Sequence, residues 1–118
     1  MNEQVKQIVE KLTEKSRKGG AIWRKNNSEF DIILPSGVIF IEEDEDGHLN
    51  TTYGLYINNN KDECIYRHIV SEKKDRECFD LLRKLYYSAR TAHYNAGQLY
   101  ESMLKKIESA DTIGRKDD

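Results

Sequence analysis

Arg76, Arg83 and Arg90 stand seven residues apart, with Tyr86 and His93 beside them on one flank of a helical wheel and Tyr87 and Tyr94 on the other. Guanidinium forks match the geometry of phosphate and carboxylate, and tyrosine rings offer faces on which a base can stack. The ligand such a stripe suits is a small anion with a flat part, a nucleotide above all. Arg83, Arg90, Tyr86, Tyr87, His93 and Tyr94 are therefore the candidate binding residues. The competing account is ordinary: Arg76 can pair with Asp80 one turn on, and the other arginines can lie along an apolar edge.

A second basic group comprises Lys15, Arg17, Lys18, Arg24 and Lys25, with Trp23 among them. It can steer an anion, or it can be a solvated helix end with Trp23 as a core anchor. Glu42-Glu43-Asp44-Glu45-Asp46-Gly47 has the oxygen donors calcium takes, but not in an EF-hand register: the twelfth residue from Asp44 is Leu55 where a glutamate is needed. A solvated hairpin turn is the expectation there. Cys64-x-x-x-His68, Cys78, His48 and His93 contain one close pair of zinc-type ligands where a structural site needs two, so strand packing is expected and no metal. No Gly-x-Ser-x-Gly elbow, Walker loop or His-Glu-x-x-His occurs, and no catalytic residue or cofactor is assigned.

These residues must be positioned by one domain's worth of chain. With 37% hydrophobic and 34% charged residues, the core is thin and the polar surface large. Charge is unevenly spread. Residues 1–27 carry seven basic against three acidic side chains, residues 28–64 one against nine, and residues 65–118 eleven against nine. The overall charge of -2 argues against a general nucleic-acid binder. No basic region precedes an apolar run at the start, and the longest apolar stretch is Val38-Ile39-Phe40-Ile41, so neither secretion nor a membrane span is expected. Cys64 and Cys78 are too few for a disulfide framework and lack C-x-x-C spacing, so reduced thiols in a cytoplasmic protein are expected.

Val5, Ile8, Val9 and Leu12 recur at helical spacing after Asn2, a good cap, and predict a helix over Glu3–Lys18 that Gly19-Gly20 ends. Short β-prone runs then follow at Ala21–Lys25, Phe30–Leu34, Val38–Glu43, Thr51–Ile57 and Cys64–Val70, separated by Pro, Gly, Asn and Asp. They predict a four- to five-stranded antiparallel meander, with Val38–Ile41 a central strand covered on both faces. A long helix begins near Asp75 and runs to about Ser109, with Asn95-Ala96-Gly97 the point where it kinks or divides. The fold class is α+β: one domain over residues 1–109, and a flexible tail over 110–118.

On the long helix, Cys78, Leu82, Leu85, Ala89, Ala92, Ala96, Leu99 and Met103 form a heptad seam, and Phe79, Tyr86, His93, Tyr100 and Ile107 run beside it. That width exceeds what one sheet face covers, and the central alanines admit a close neighbour. A homo-oligomer through residues 78–107 is expected; the alternative is that the first helix fills the space.

Gly20-Ala21-Ile22-Trp23 after a basic helix end, the strands that follow, and Leu85-Tyr86 with Ala89-Arg90 in the last helix resemble a loose group of small uncharacterised bacterial and phage proteins. The resemblance spans roughly Glu3 to Ile107. It implies a helix, an antiparallel meander and a C-terminal helix or helical hairpin, of prokaryotic or viral origin, and carries no site residues. The functional expectation is a non-catalytic, oligomeric, cytoplasmic protein that captures an anionic nucleotide signal, such as a phage sponge of a host defence signal. The alternatives are a protein-interaction module, of inhibitor or immunity type, acting through Glu42–Asp46 or the helix face, and a small enzyme acting on a nucleotide.

Overall fold

A computed structural model describes residues 1–116 of the chain. Helix α1 spans Glu3–Arg17, with the Asn2 side chain accepting from the Val5 amide at 2.9 Å. It ends where Gly19 turns into the left-handed region (φ 77°) and the Gly20 amide reaches back to the Lys15 carbonyl at 2.9 Å. Five strands follow: β1 Arg24–Asn26, β2 Glu29–Leu34, β3 Gly37–Glu45, β4 Thr51–Asn59 and β5 Cys64–Ser71. They pair antiparallel in the order β1-β2-β3-β4-β5, the meander that the alternation and turn residues predict. The first strand is shorter than expected. Ala21 and Trp23 are buried ahead of it in an extended lead-in, not within the ladder.

One face of the sheet carries the core. Phe30, Ile32, Ile39, Ile41, Tyr53, Leu55 and Val70 are buried there, in register across neighbouring strands as Phe30 with Ile41, Ile41 with Leu55, and Tyr53 with Val70. Helix α2, Arg76–Tyr94, lies over this face through Phe79, Leu82, Leu85, Tyr86 and Ala89. Phe30 and Tyr53 both meet the Tyr86 ring, at centroid separations of 5.3 and 5.7 Å. The other face is uncovered: Val38 and Phe40 are only half-buried, and Ile33 and Ile69 are exposed. Val38–Ile41 is thus central in the sheet but not covered on two sides, because both helices stack on the same face.

Helix α1 lies alongside α2 and runs in the same direction. Lys6 near its start reaches Glu77 near the start of α2 at 3.1 Å, while Arg17 at its end shares a groove with Ser88 and Thr91. The first helix therefore takes up the flank of α2, which was the alternative to a second protomer there.

Asn95 stops α2 by adopting the left-handed conformation (φ 54°, ψ 41°), and α3 begins at once over Ala96–Ser109. The expected long helix is two helices, divided at Asn95, a residue that tolerates this conformation better than most. Beyond it the heptad seam leaves the core. Leu99, Met103, Leu104 and Ile107 are exposed, and α3 makes its main contacts with α2 alone. The radius of gyration is 17.3 Å, against about 13–14 Å for a compact chain of this length. Residues 110–116 form no helix or strand, and residues 117–118 of the expected tail lie outside the described residues. No helix among the described residues is long and apolar enough to cross a membrane.

Candidate functional site

The arginine–tyrosine stripe divides along its length. The sheet takes one flank: Tyr86 is buried, with its phenol pushed up first by burial and then by Glu43, and His93, though exposed, donates from Nδ1 to the Trp23 carbonyl at 2.9 Å. Phe30 lies 5.7 Å from the His93 ring. Tyr86 is thus a core residue whose ring is turned to the sheet, while His93 ties α2 to the chain that leads into β1. Arg76 is spent too, on Glu72 at 3.2 Å and Asp80 at 3.9 Å, as the ordinary account foresees.

Arg83, Tyr87, Arg90 and Tyr94 remain on the outer flank, and the fold brings them residues that helical spacing does not reveal. Because α1 runs parallel to α2, Arg17 arrives beside Arg83, Lys84, Tyr87, Ser88 and Thr91, around a groove of about 340 Å³. The two basic groups of the sequence therefore meet in part. The groove continues past Tyr87 and Thr91 into a second space of about 420 Å³, lined also by Arg90, Tyr94, Leu99 and Tyr100. Tyr87 is 44% exposed and its ring belongs to both.

The electrostatics differ along this path. Among the described residues Arg17, Lys84 and Arg90 have no carboxylate within 4.0 Å, and Arg83 has only Asp80 at 3.4 Å. Cations crowded without counter-charges raise the local potential and favour an anion. Hydroxyls of Ser88 and Thr91 supply neutral hydrogen-bonding groups on the same helix face. At the other end, Lys25 donates to the Tyr94 hydroxyl at 2.7 Å and lies 5.4 Å from the ring centroid, which ties β1 to the aromatic end.

A larger space of about 570 Å³ opens on the far side of Arg83 and Tyr87, but Glu43 and Glu72 line it beside Lys73 and Arg83. Tyr53 and Tyr87 both donate to Glu43 Oε2, at 2.7 and 3.1 Å. Burial first, and then this carboxylate, raises the Tyr53 phenol far above its ordinary value, so it stays a neutral donor. Mixed charge makes this space a poorer anion site than the groove between α1 and α2, despite its size.

The acidic hairpin is occupied internally. Glu42 accepts from Tyr56 at 2.7 Å, and Asp46 Oδ1 accepts from the amides of His48 and Asn50 at 2.8 and 3.0 Å. Those bonds lower the Asp46 carboxyl below its ordinary range. The turn is closed by its own aspartate.

Sequence reasoning missed Lys84, Ser88, Thr91 and Tyr100 as groove residues and placed Arg17 in a separate group. The only signal for Lys84, Ser88 and Thr91 was position on the same outer arc of α2, which means nothing until the neighbour of that arc is known, and Arg17 and Tyr100 come from α1 and α3. No family model matches this chain, and comparison with curated proteins and with solved structures likewise finds no match.

Proposed function

We propose that this protein is a non-catalytic binding protein that captures a small anionic ligand of the nucleotide class in the groove along the outer face of α2. The observation that carries the reading is the polarity of that groove: Arg17, Arg83 and Lys84 gather at one end, Tyr94 and Tyr100 at the other, and Tyr87 and Thr91 are common to both halves. A nucleotide has the same polarity, phosphate at one end and a flat base at the other. Arg90 sits between, where a second phosphate or a ribose edge would lie. In a bacterial cytoplasm such a protein would act by sequestering a nucleotide signal, as a phage-encoded sponge does.

Self-association belongs to the same reading. Leu99, Tyr100, Met103, Leu104 and Ile107 leave α3 with an exposed apolar surface, and a second copy laid on it would close the aromatic end of the groove. The same surface favours the second reading, an interaction module for another protein. Of the two surfaces this reading offers, it favours the helix face over the acidic hairpin, where Glu42, Glu43 and Asp46 already accept internal hydrogen bonds.

Calorimetric titration with cyclic and linear nucleotides, followed by chromatography of the recovered ligand, tests these readings together. Saturable heat with an intact ligand, weakened at least tenfold in Arg17→Ala/Arg83→Ala while folding is retained, is the expected result. A chemically changed ligand means catalysis. No heat with any nucleotide overturns the capture reading and leaves the protein partner.

A further inference from the structure

We propose that His68, Asp75 and Cys78 form a binding site for one divalent transition-metal ion, Zn²⁺ by the character of the donors. The three side chains come from the end of β5 and the first turn of α2, and their donor atoms all lie within 4.8 Å of one another. No spacing rule on the chain reveals this set, because the turn between β5 and α2 is what folds His68 back over Asp75 and Cys78.

Each donor is held where it is by the fold. His68 pairs in register with Leu55, which is fully buried under α2, so the imidazole is on the helix-bearing face of the sheet. Asp75 caps α2: its Oδ1 accepts from the Cys78 amide at 3.1 Å, and the carboxylate also takes the Cys78 thiol as a partner, which holds the two donors together until metal binding displaces the thiol proton. Cys78, three residues further on, is half-buried on the same side of the turn. All three are half-buried, shielded enough to strengthen coordination and open enough for an ion and one water to enter.

The independent sign of a ligand is on the imidazole. His68 Nε2 is screened from water and has no hydrogen-bond partner among the described residues. A buried ring nitrogen is rarely left so, since desolvation without a partner is costly. A metal ion bound through this nitrogen would supply the missing partner. One nitrogen, one sulfur and one oxygen make a borderline-soft set that suits Zn²⁺ or Co²⁺ and not the all-oxygen preference of Ca²⁺ or Mg²⁺.

The geometry is close to what coordination requires. Tetrahedral bond lengths of roughly 2.0–2.3 Å place ligand atoms roughly 3.3–3.6 Å apart, so the donors need to draw in by about 1 Å. On binding, the Cys78 sulfur bonds to the metal as thiolate, its proton passes to solvent, and water takes the fourth position. The ion then clamps β5 to the start of α2 and stabilises the native state by mass action, since the unfolded chain does not hold these residues together.

Cobalt titration of the full chain under reducing conditions tests the site. One equivalent of Co²⁺ should produce the visible bands of a tetrahedral ion and a thiolate charge-transfer band, both erased by added Zn²⁺. Cys78→Ser should abolish the charge-transfer band, His68→Gln and Asp75→Asn should weaken binding at least tenfold, and Cys64→Ser should leave the spectrum unchanged. Asparagine still caps a helix, so Asp75→Asn separates ligation from folding. Zn²⁺ should also raise the melting temperature of the wild type and not of His68→Gln. Absence of cobalt bands with micromolar protein overturns the proposal, as does a charge-transfer band that survives in Cys78→Ser or vanishes in Cys64→Ser.

Discussion

The indole Nε1 of Trp23 donates to the hydroxyl oxygen of Ser16 at 2.9 Å, inside the core. The same hydroxyl donates to the Leu12 carbonyl at 2.7 Å, so Ser16 is held by its own helix and in turn holds the chain that leads into β1. This pair closes the glycine turn between α1 and the sheet, and it sets where Arg17 can point. Ser16→Ala leaves a buried indole N–H without a partner and should lower stability by about 1–3 kcal/mol, measured by urea denaturation. An unchanged midpoint would show that the hydrogen bond does not hold the turn.

Tyr86 and Tyr87 are neighbours in sequence with opposite fates. Tyr86→Ala removes a ring packed on Phe30 and Tyr53 and should cost about 3–5 kcal/mol. Tyr87→Ala removes a half-exposed ring and a hydrogen bond to Glu43, and should cost less than about 1 kcal/mol. Nucleotide affinity should fall in Tyr87→Ala, read by titration at a temperature where the variant is fully folded. Equal destabilisation by the two substitutions would contradict this division of the stripe.

Acid should loosen the β3–β4 hairpin through Asp46. Amide hydrogen bonds from Asn50 and His48 hold its carboxyl below the ordinary value, so the native state binds fewer protons than the unfolded chain over that window. The stabilisation it lends is present above the ordinary carboxylate range and is lost as pH falls through its lowered native value. Asp46→Asn keeps an acceptor oxygen but no charge. Its melting temperature should lie below that of the wild type at pH 7 and converge with it in acid. A gap that does not change with pH would refute the assignment.

Asn95 divides α2 from α3 because its backbone sits in the left-handed region. Asn95→Gly should change stability by no more than about 0.5 kcal/mol, whereas Asn95→Val should lose about 1–2 kcal/mol, by thermal denaturation, because a β-branched side chain is strained there. Equal stability of the two variants would mean that the left-handed residue does not set the break.

Leu99→Glu/Leu104→Glu should leave unfolding of the core unaltered, since both side chains are largely exposed, and should reduce the mass seen in light scattering if copies meet through α3. A self-associated mass that persists in this variant would place the interface elsewhere.

The periodicities of the chain by themselves determined which segments are helices and strands. Val5 and Val9 mark the buried arc of α1, the alternation through Tyr53, Leu55 and Ile57 marks the inner face of β4, and Asp75 marks the start of α2. These are local rules of backbone geometry, so a single chain carries them. Tertiary structure alone decided what each face meets. A helical wheel places Tyr86 and Tyr87 on either side of Arg83 but does not say which side the sheet will take. It also cannot bring Arg17 from α1 to Ser88, or fold His68 across a turn onto Asp75 and Cys78. Those relations depend on the parallel run of α1 beside α2 and on both helices stacking on one face of the sheet. Such contacts are made between segments distant in sequence, and their energy comes from burying both surfaces at once, so neither segment encodes them alone.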